Sequence, residues 1–162
     1  MEYSVTIKND SRFSNGDGIV HTWLEFNATG EDAQYFGFSP QKGSGYFNVN
    51  GDIDEEGYLG KRNFSESITL KITKEQYDKM LDTAKKISEN IPLYDLMPDS
   101  DHGPDYNCTT MANYVLESGD VYFLSGVQSP FGVAGRISGI AGDVTDVKIT
   151  ENGDIIINSV SR

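Results

Sequence analysis

The chain has little cysteine, little histidine and little positive charge, and each scarcity removes a class of function. Cys108 is the sole cysteine among 162 residues, which excludes an intrachain disulfide, so packing must hold the fold and a reducing compartment suits it. With only two histidines beside it, a structural zinc site would need several carboxylates, and neither a metal nor any other cofactor is expected. The 13 basic residues stand against 25 acidic ones, a formal net charge of −12 that repels phosphate backbones, so nucleic acid is not an expected partner. A basic protein partner would suit such a surface. No apolar run approaches the roughly 20 residues that span a bilayer, and membrane insertion is not expected. The opening "MEYSVTIKND" has neither a basic nor an apolar region of the kind a Sec-type leader carries, so the expectation is a chain made in the cytoplasm.

What is present fits one domain over residues 1–162, rich in strands and turns, with 17 glycines and nine tyrosines. "YSVTIKN" and "GIVHTWLEFN" have strand composition around the turn-rich "SNGDG", and an antiparallel pair is expected. "QYFGFSP" reads as a third strand ended by Pro40. Residues 41–63 show no sustained period and are expected as an irregular loop with at most one short strand. "SESITLKI" is a strand leading into the clearest helix. There Thr73 and Gln76 have capping-box spacing, and Tyr77, Met80, Leu81, Ala84 and Ile87 recur at helical intervals. A second helix is expected from Cys108 to about Glu117, with Met111, Ala112, Val115 and Leu116 on its buried side. "SPFGVAGRISGIAG" is ambiguous, whereas "DVKIT", "ENGD" and "IIINSV" spell a β-hairpin. The fold class is α+β, an antiparallel sheet packed against two main helices.

The chemistry centres on Cys108. Asn107 is a good N-cap, which places the cysteine at the first helical position, where the macrodipole and free N–H groups favour a thiolate and an oxyanion. A packed, inert side chain is the competing reading, because free cysteine is among the most buried residue types. His21 shifts the balance. On its strand, His21, Trp23 and Glu25 share one face, and Val20, Thr22, Leu24 and Phe26 form the apolar other. A histidine poised against a cysteine at a helix start is what thiol acyl transfer requires, since the imidazole takes the thiol proton and returns it to the leaving group.

A third group normally orients such a histidine. Glu25 lies about 13 Å along the strand and is too far. A hairpin turning near Gly30 would bring Ser39 opposite His21, so Ser39 or a nearby carbonyl is the candidate, with Gln34 and Asn27 weaker. Trp23, Tyr106 and Asn107 are candidate substrate contacts. Tyr35, Phe36 and Phe38 either line a groove on the histidine side or belong to the core. His102, among acids in "DSDHGPD", reads as a loop residue. The acids of "NVNGDIDEEG", Asp52, Asp54 and Glu56, alternate like a calcium loop. The position where an EF-hand needs its bidentate Glu is Asn63, so a solvated acidic loop is expected. "GVAGRISG" lacks the Lys-Ser/Thr ending of a P-loop.

In this order, "HTWLEF", "YFGFSP", an amphipathic helix and "YNCTTMANYVLESG" resemble a circularly permuted papain-like fold of the NlpC/P60 type over roughly residues 18–118. The histidine strand here precedes the cysteine helix. The chain is similar to small cysteine-histidine domains of bacterial toxins and type VI secretion effectors, many of them amidases of peptidoglycan stem peptides. The resemblance implies Cys108 as nucleophile, His21 as base, a peptidoglycan fragment or peptide as substrate, and secretion without a leader into the periplasm of a target cell. A cognate immunity protein would be the partner there. It also allows an acyltransferase or lipid hydrolase. A non-catalytic acidic binding module with a buried cysteine is the alternative from another class.

Overall fold

The computed structural model describes residues 1–13, 19–98, 105–140, 143–150 and 155–161, with side chains of 143–146 and 155–161 set aside. The turn "SNGDG", the turn "ENGD" and His102 lie outside the described residues. The architecture is mixed α+β, with two mixed sheets and four helices among the described residues.

Alternating apolar residues build the larger sheet. β1 (Tyr3–Asp10) is central and pairs antiparallel with β2 (His21–Ala28) on one side and β6 (Glu66–Ile72) on the other. β3 (Gln34–Phe36) extends the β2 edge. Beyond β6 lies the antiparallel hairpin of β9 (Asp143–Ile149) and β10 (Ile155–Ser161), and β9 joins β6 in parallel. Val5, Ile7, Leu24, Phe26 and Leu70 turn one way and are buried beneath two helices. Tyr77, Met80, Ala84 and Ile87 come from α2 (Lys74–Glu89), and Met111, Ala112, Val115 and Leu116 from α3 (Cys108–Ser118). Each buried residue removes apolar area from water worth about 25 cal/mol per Å². The expected capping box is present at α2, where Thr73 Oγ1 accepts from Gln76 N while Gln76 Oε1 accepts from Thr73 N.

The strand expected over 34–40 is broken. At Gly37 the chain leaves the large sheet, and β4 (Phe38–Pro40) pairs instead with β5 (Val49–Ile53) in a second sheet of order β4-β5-β7-β8. β7 (Leu93–Tyr94) and β8 (Asp105–Tyr106) complete it and run parallel. One antiparallel sheet on two helices is therefore corrected to two mixed sheets. The segment 41–63, expected as an irregular loop with at most one short strand, holds that strand as β5 and, beyond the expectation, α1 (Glu56–Lys61). The ambiguous glycine-rich segment forms α4 (Pro130–Ser138), begun by Ser129 Oγ accepting from Gly132 N and by proline at the first turn. No helix among the described residues is long and apolar enough to cross a membrane.

Gly37 has a specific reason to be glycine. Asp54 N donates to its carbonyl at 2.9 Å, and a Cβ there would overlap Asp54 Oδ2 and press on Leu59 Cδ1 at 3.1 Å. Gly37→Ala must displace that carboxylate, which two other residues hold in place, so overpacking of about 1–3 kcal/mol is expected. Urea unfolding of the variant measures this loss, and an unchanged midpoint would show that the carboxylate moves freely.

A buried Cys–His–Asp constellation

Three segments converge at the end of β2. α3 begins at Cys108 as the sequence predicts, with a reciprocal cap: Asn107 Oδ1 accepts from Thr110 N at 2.8 Å, and Thr110 Oγ1 accepts from Asn107 N at 3.0 Å. The Asn107 amide also donates to the carbonyls of Leu96 and Gln128. Expected as a substrate contact, Asn107 uses its side chain to fix the helix start and also borders the cavity at Cys108. The helix is pinned to the sheet next door, where the Thr22 and Thr109 hydroxyls meet at 2.8 Å and Thr22 Oγ1 donates to Asn9 Oδ1 at 2.8 Å. Buried polar groups satisfied in this way hold one geometry. Their chain neighbours Cys108 and His21 lie close enough to interact directly.

His21 opens β2, and its imidazole is held on the far side by a residue the sequence reading passed over. Nε2–H donates to Asp54 Oδ2 at 2.7 Å, and Ser39 Oγ donates to Asp54 Oδ1 at 2.5 Å. The orienting group is thus the Asp54 carboxylate rather than Ser39, whose hydroxyl acts one step back. Asp54 stands in the acidic segment 52–56, whose spacing does not fit an EF-hand loop. With Nε2 committed to Asp54, the other ring nitrogen remains for the sulfur.

The protonation states follow from these neighbours. Burial lowers the His21 pKa, but the hydrogen bond to Asp54 and then the interaction with Cys108 outweigh it, raising the imidazole from 6.5 to about 9. Burial raises the Cys108 thiol, yet the hydrogen bond and charge of His21, the Thr22 backbone N–H and the Thr109 hydroxyl bring it below its usual value. Burial likewise opposes ionisation of Asp54. The His21 hydrogen bond and charge, then Ser39 and Arg62, hold it below the usual carboxylate range. These neighbours shift the pair toward a thiolate beside an imidazolium, with the carboxylate ionised next to them.

The face of β2 carrying His21 is more buried than its sequence suggests. Trp23 is fully buried, its ring stacked with His21 at 5.6 Å between centroids and covered by the Arg62 guanidinium at 5.4 Å. Arg62 in turn donates to the Ile19 carbonyl at 2.6 Å and to Asp10 Oδ2 at 3.3 Å. Trp23, expected to contact substrate, instead supports the imidazole from behind. Tyr106 is corrected too: it packs edge-on against Tyr114 at 5.7 Å and lines a cavity with Ile87, Asn90 and Met111, apart from both cavities that reach Cys108 and His21. Phe36 and Phe38 are core, and Phe38 also forms part of a cavity wall beside His21.

Cys108 and His21 are each only 5% exposed, but each borders open space. A cavity of about 840 Å³ is lined by His21, Ser39, Asp54 and Arg62, and one of about 360 Å³ opens on Cys108. No protein-family model, no curated protein and no solved structure matches this chain.

Proposed function

We propose that the protein is a thiol hydrolase in which Cys108 attacks an acyl carbonyl, His21 carries the proton and Asp54 holds the imidazole. The observation that carries this reading is the sole thiol of the chain meeting an imidazole that a buried carboxylate grips from its far side. An inert packed cysteine needs no such partner, and burial alone would push its pKa up rather than down. The intrahelical ladder of α3 begins with Met111 N donating to Asn107 O, and the cap takes Thr110 N. The N–H groups of Cys108 and Thr109 precede both and would receive the oxyanion of the tetrahedral intermediate.

The permuted papain-like likeness makes an amide in peptidoglycan stem peptides the substrate to test first, with the protein acting as a secreted antibacterial effector restrained by an immunity partner. A second reading, an acyltransferase or lipid hydrolase of the same kind, is favoured by one observation: the cavity at the sulfur is walled by apolar side chains, among them Val20, Leu96 and Phe131. Incubation with purified sacculi and mass analysis of the soluble products separates the two. New fragments with wild type and none with Cys108→Ala support the amidase, whereas identical profiles for both proteins remove peptidoglycan and leave the thiol chemistry to be judged on other acyl compounds.

A further inference from the structure

The two cavities at the reacting pair differ in chemistry, and the direction of proton transfer assigns them different tasks. The larger is lined by ionisable and hydroxyl groups, including Ser39, Lys42, Asp52, Asp54 and Arg62 beside His21. Around the sulfur the lining is mainly apolar, with Phe13, Val20, Leu96, Met97, Pro130 and Phe131, and Asn107 and Ser129 also border it. Ile19, Tyr46 and Tyr94 border both and form the ridge between them. Phe13, Met97 and Phe131 stay largely exposed at this mouth, with the Phe13 and Phe131 rings 6.0 Å apart. Clustered exposed apolar side chains of this size mark a binding surface.

Resting on the thiol-hydrolase reading above, we propose that the cavity at Cys108 is the acyl subsite and the one at His21 the leaving-group subsite. The substrate class is then an amide or ester of an aliphatic acyl group joined to a polar leaving group. The thiolate forms an S–C bond to the carbonyl carbon. The C–N or C–O bond breaks, and its electron pair takes the proton of the His21 imidazolium, so the leaving group must stand on the imidazole side. The acyl substituent points away from it, along the sulfur side. Water, giving its proton back to His21, then attacks the thioester and releases the acid and the thiolate. A carboxylate-bearing acyl group would lose its hydration in this mainly apolar lining, which holds no basic side chain, and an alkyl chain loses nothing. The volume lies near the lower end of small-molecule sites, which suits a chain of moderate length.

The test compares p-nitrophenyl acetate, butyrate, octanoate and the succinyl monoester as substrates of the full chain, with the N-acetyl-leucyl p-nitroanilide as a branched peptide-like arm. The expected result is a rise in kcat/KM of about tenfold from acetate to butyrate, a further rise to octanoate, and the slowest reaction with the succinyl ester. The octanoate-to-acetate ratio should fall by about tenfold in Leu96→Asp and in Phe131→Asp, two positions already in contact with solvent. A leucyl substrate preferred over every straight chain would name a peptide side chain as the occupant of the same subsite. Equal rates across the esters, preference for the succinyl ester, or no turnover at all by a protein whose Cys108 alkylates rapidly overturns the subsite assignment. A Cys108 that alkylates no faster than an ordinary thiol overturns the hydrolase reading on which it rests.

Discussion

His21→Ala is expected to reduce turnover of any acyl substrate by about 10³-fold or more, and to turn Cys108 into an ordinary, slow thiol. His21 supplies both the hydrogen bond and the charge that act most strongly against the burial of the sulfur. Without them burial stands opposed only by the Thr22 N–H and the Thr109 hydroxyl, so the thiol titrates higher. An unassisted cysteine is only a few per cent thiolate at pH 7. Alkylation by iodoacetamide at neutral pH should therefore be faster in the wild type than in the variant, with its pH profile displaced to lower pH. In the variant it should be slow at neutral pH and climb steadily toward alkaline pH. The replaced ring is buried beside Trp23, so His21→Asn, which leaves a smaller void, serves as a second variant with the same expected profile. Superimposable alkylation profiles in wild type and both variants would mean that sulfur and imidazole do not communicate.

Much of this site is legible in the chain, because its two reacting groups belong to rare residue types in informative places. Cys108 follows a strong N-cap at the start of an apolar periodic segment, and His21 heads a segment of strand composition, so both element and position can be read locally. Asp54 cannot be found that way. It stands among Asp52, Glu55 and Glu56, four carboxylates of similar surroundings in sequence, and only the pairing of β5 with β4 and the break at Gly37 select the one that reaches the imidazole. One signal did exist. A glycine inside the aromatic strand "YFGFSP" marks a close approach by another group, and here that group is the carboxylate itself. The apolar wall at the sulfur is harder still, since Phe13, Leu96 and Pro130 come from three distant segments with no shared period. α1 escaped, and β5 could be placed only loosely, for a different reason. A helix of six residues spans too few turns to show periodicity, and "VNGDI" is held as a strand by β4 and β7 rather than by its own propensity.

Asp54→Asn is expected to lower kcat/KM by about 10²–10⁴-fold while leaving the fold intact, because the amide has nearly the shape of the carboxylate. The pH profile should identify the cause. In the wild type the rate rises on the acid side as Cys108 ionises, below its usual value, and falls on the alkaline side as His21 loses its proton at about 9. Both limbs belong to the coupled pair. The hydrogen bond to Asp54 is the largest single influence raising the imidazole. Once the Asp54 charge is removed, Cys108 alone opposes the lowering effect of burial and the alkaline limb moves down. An imidazole that is less often charged stabilises the thiolate less, so the acid limb moves up. The bell should narrow from both sides as well as shrink. Ser39→Ala keeps carboxylate and imidazole paired and removes one hydrogen bond to the former, so a loss of about tenfold with little change in the limbs is expected. A narrowed bell in Asp54→Asn with an unshifted one in Ser39→Ala separates the residue that sets the charge from the one that only steadies it. Equal small losses in both variants, with neither limb displaced, would demote Asp54 to a packing contact and return the orienting role to the stack of His21 on Trp23 and Arg62.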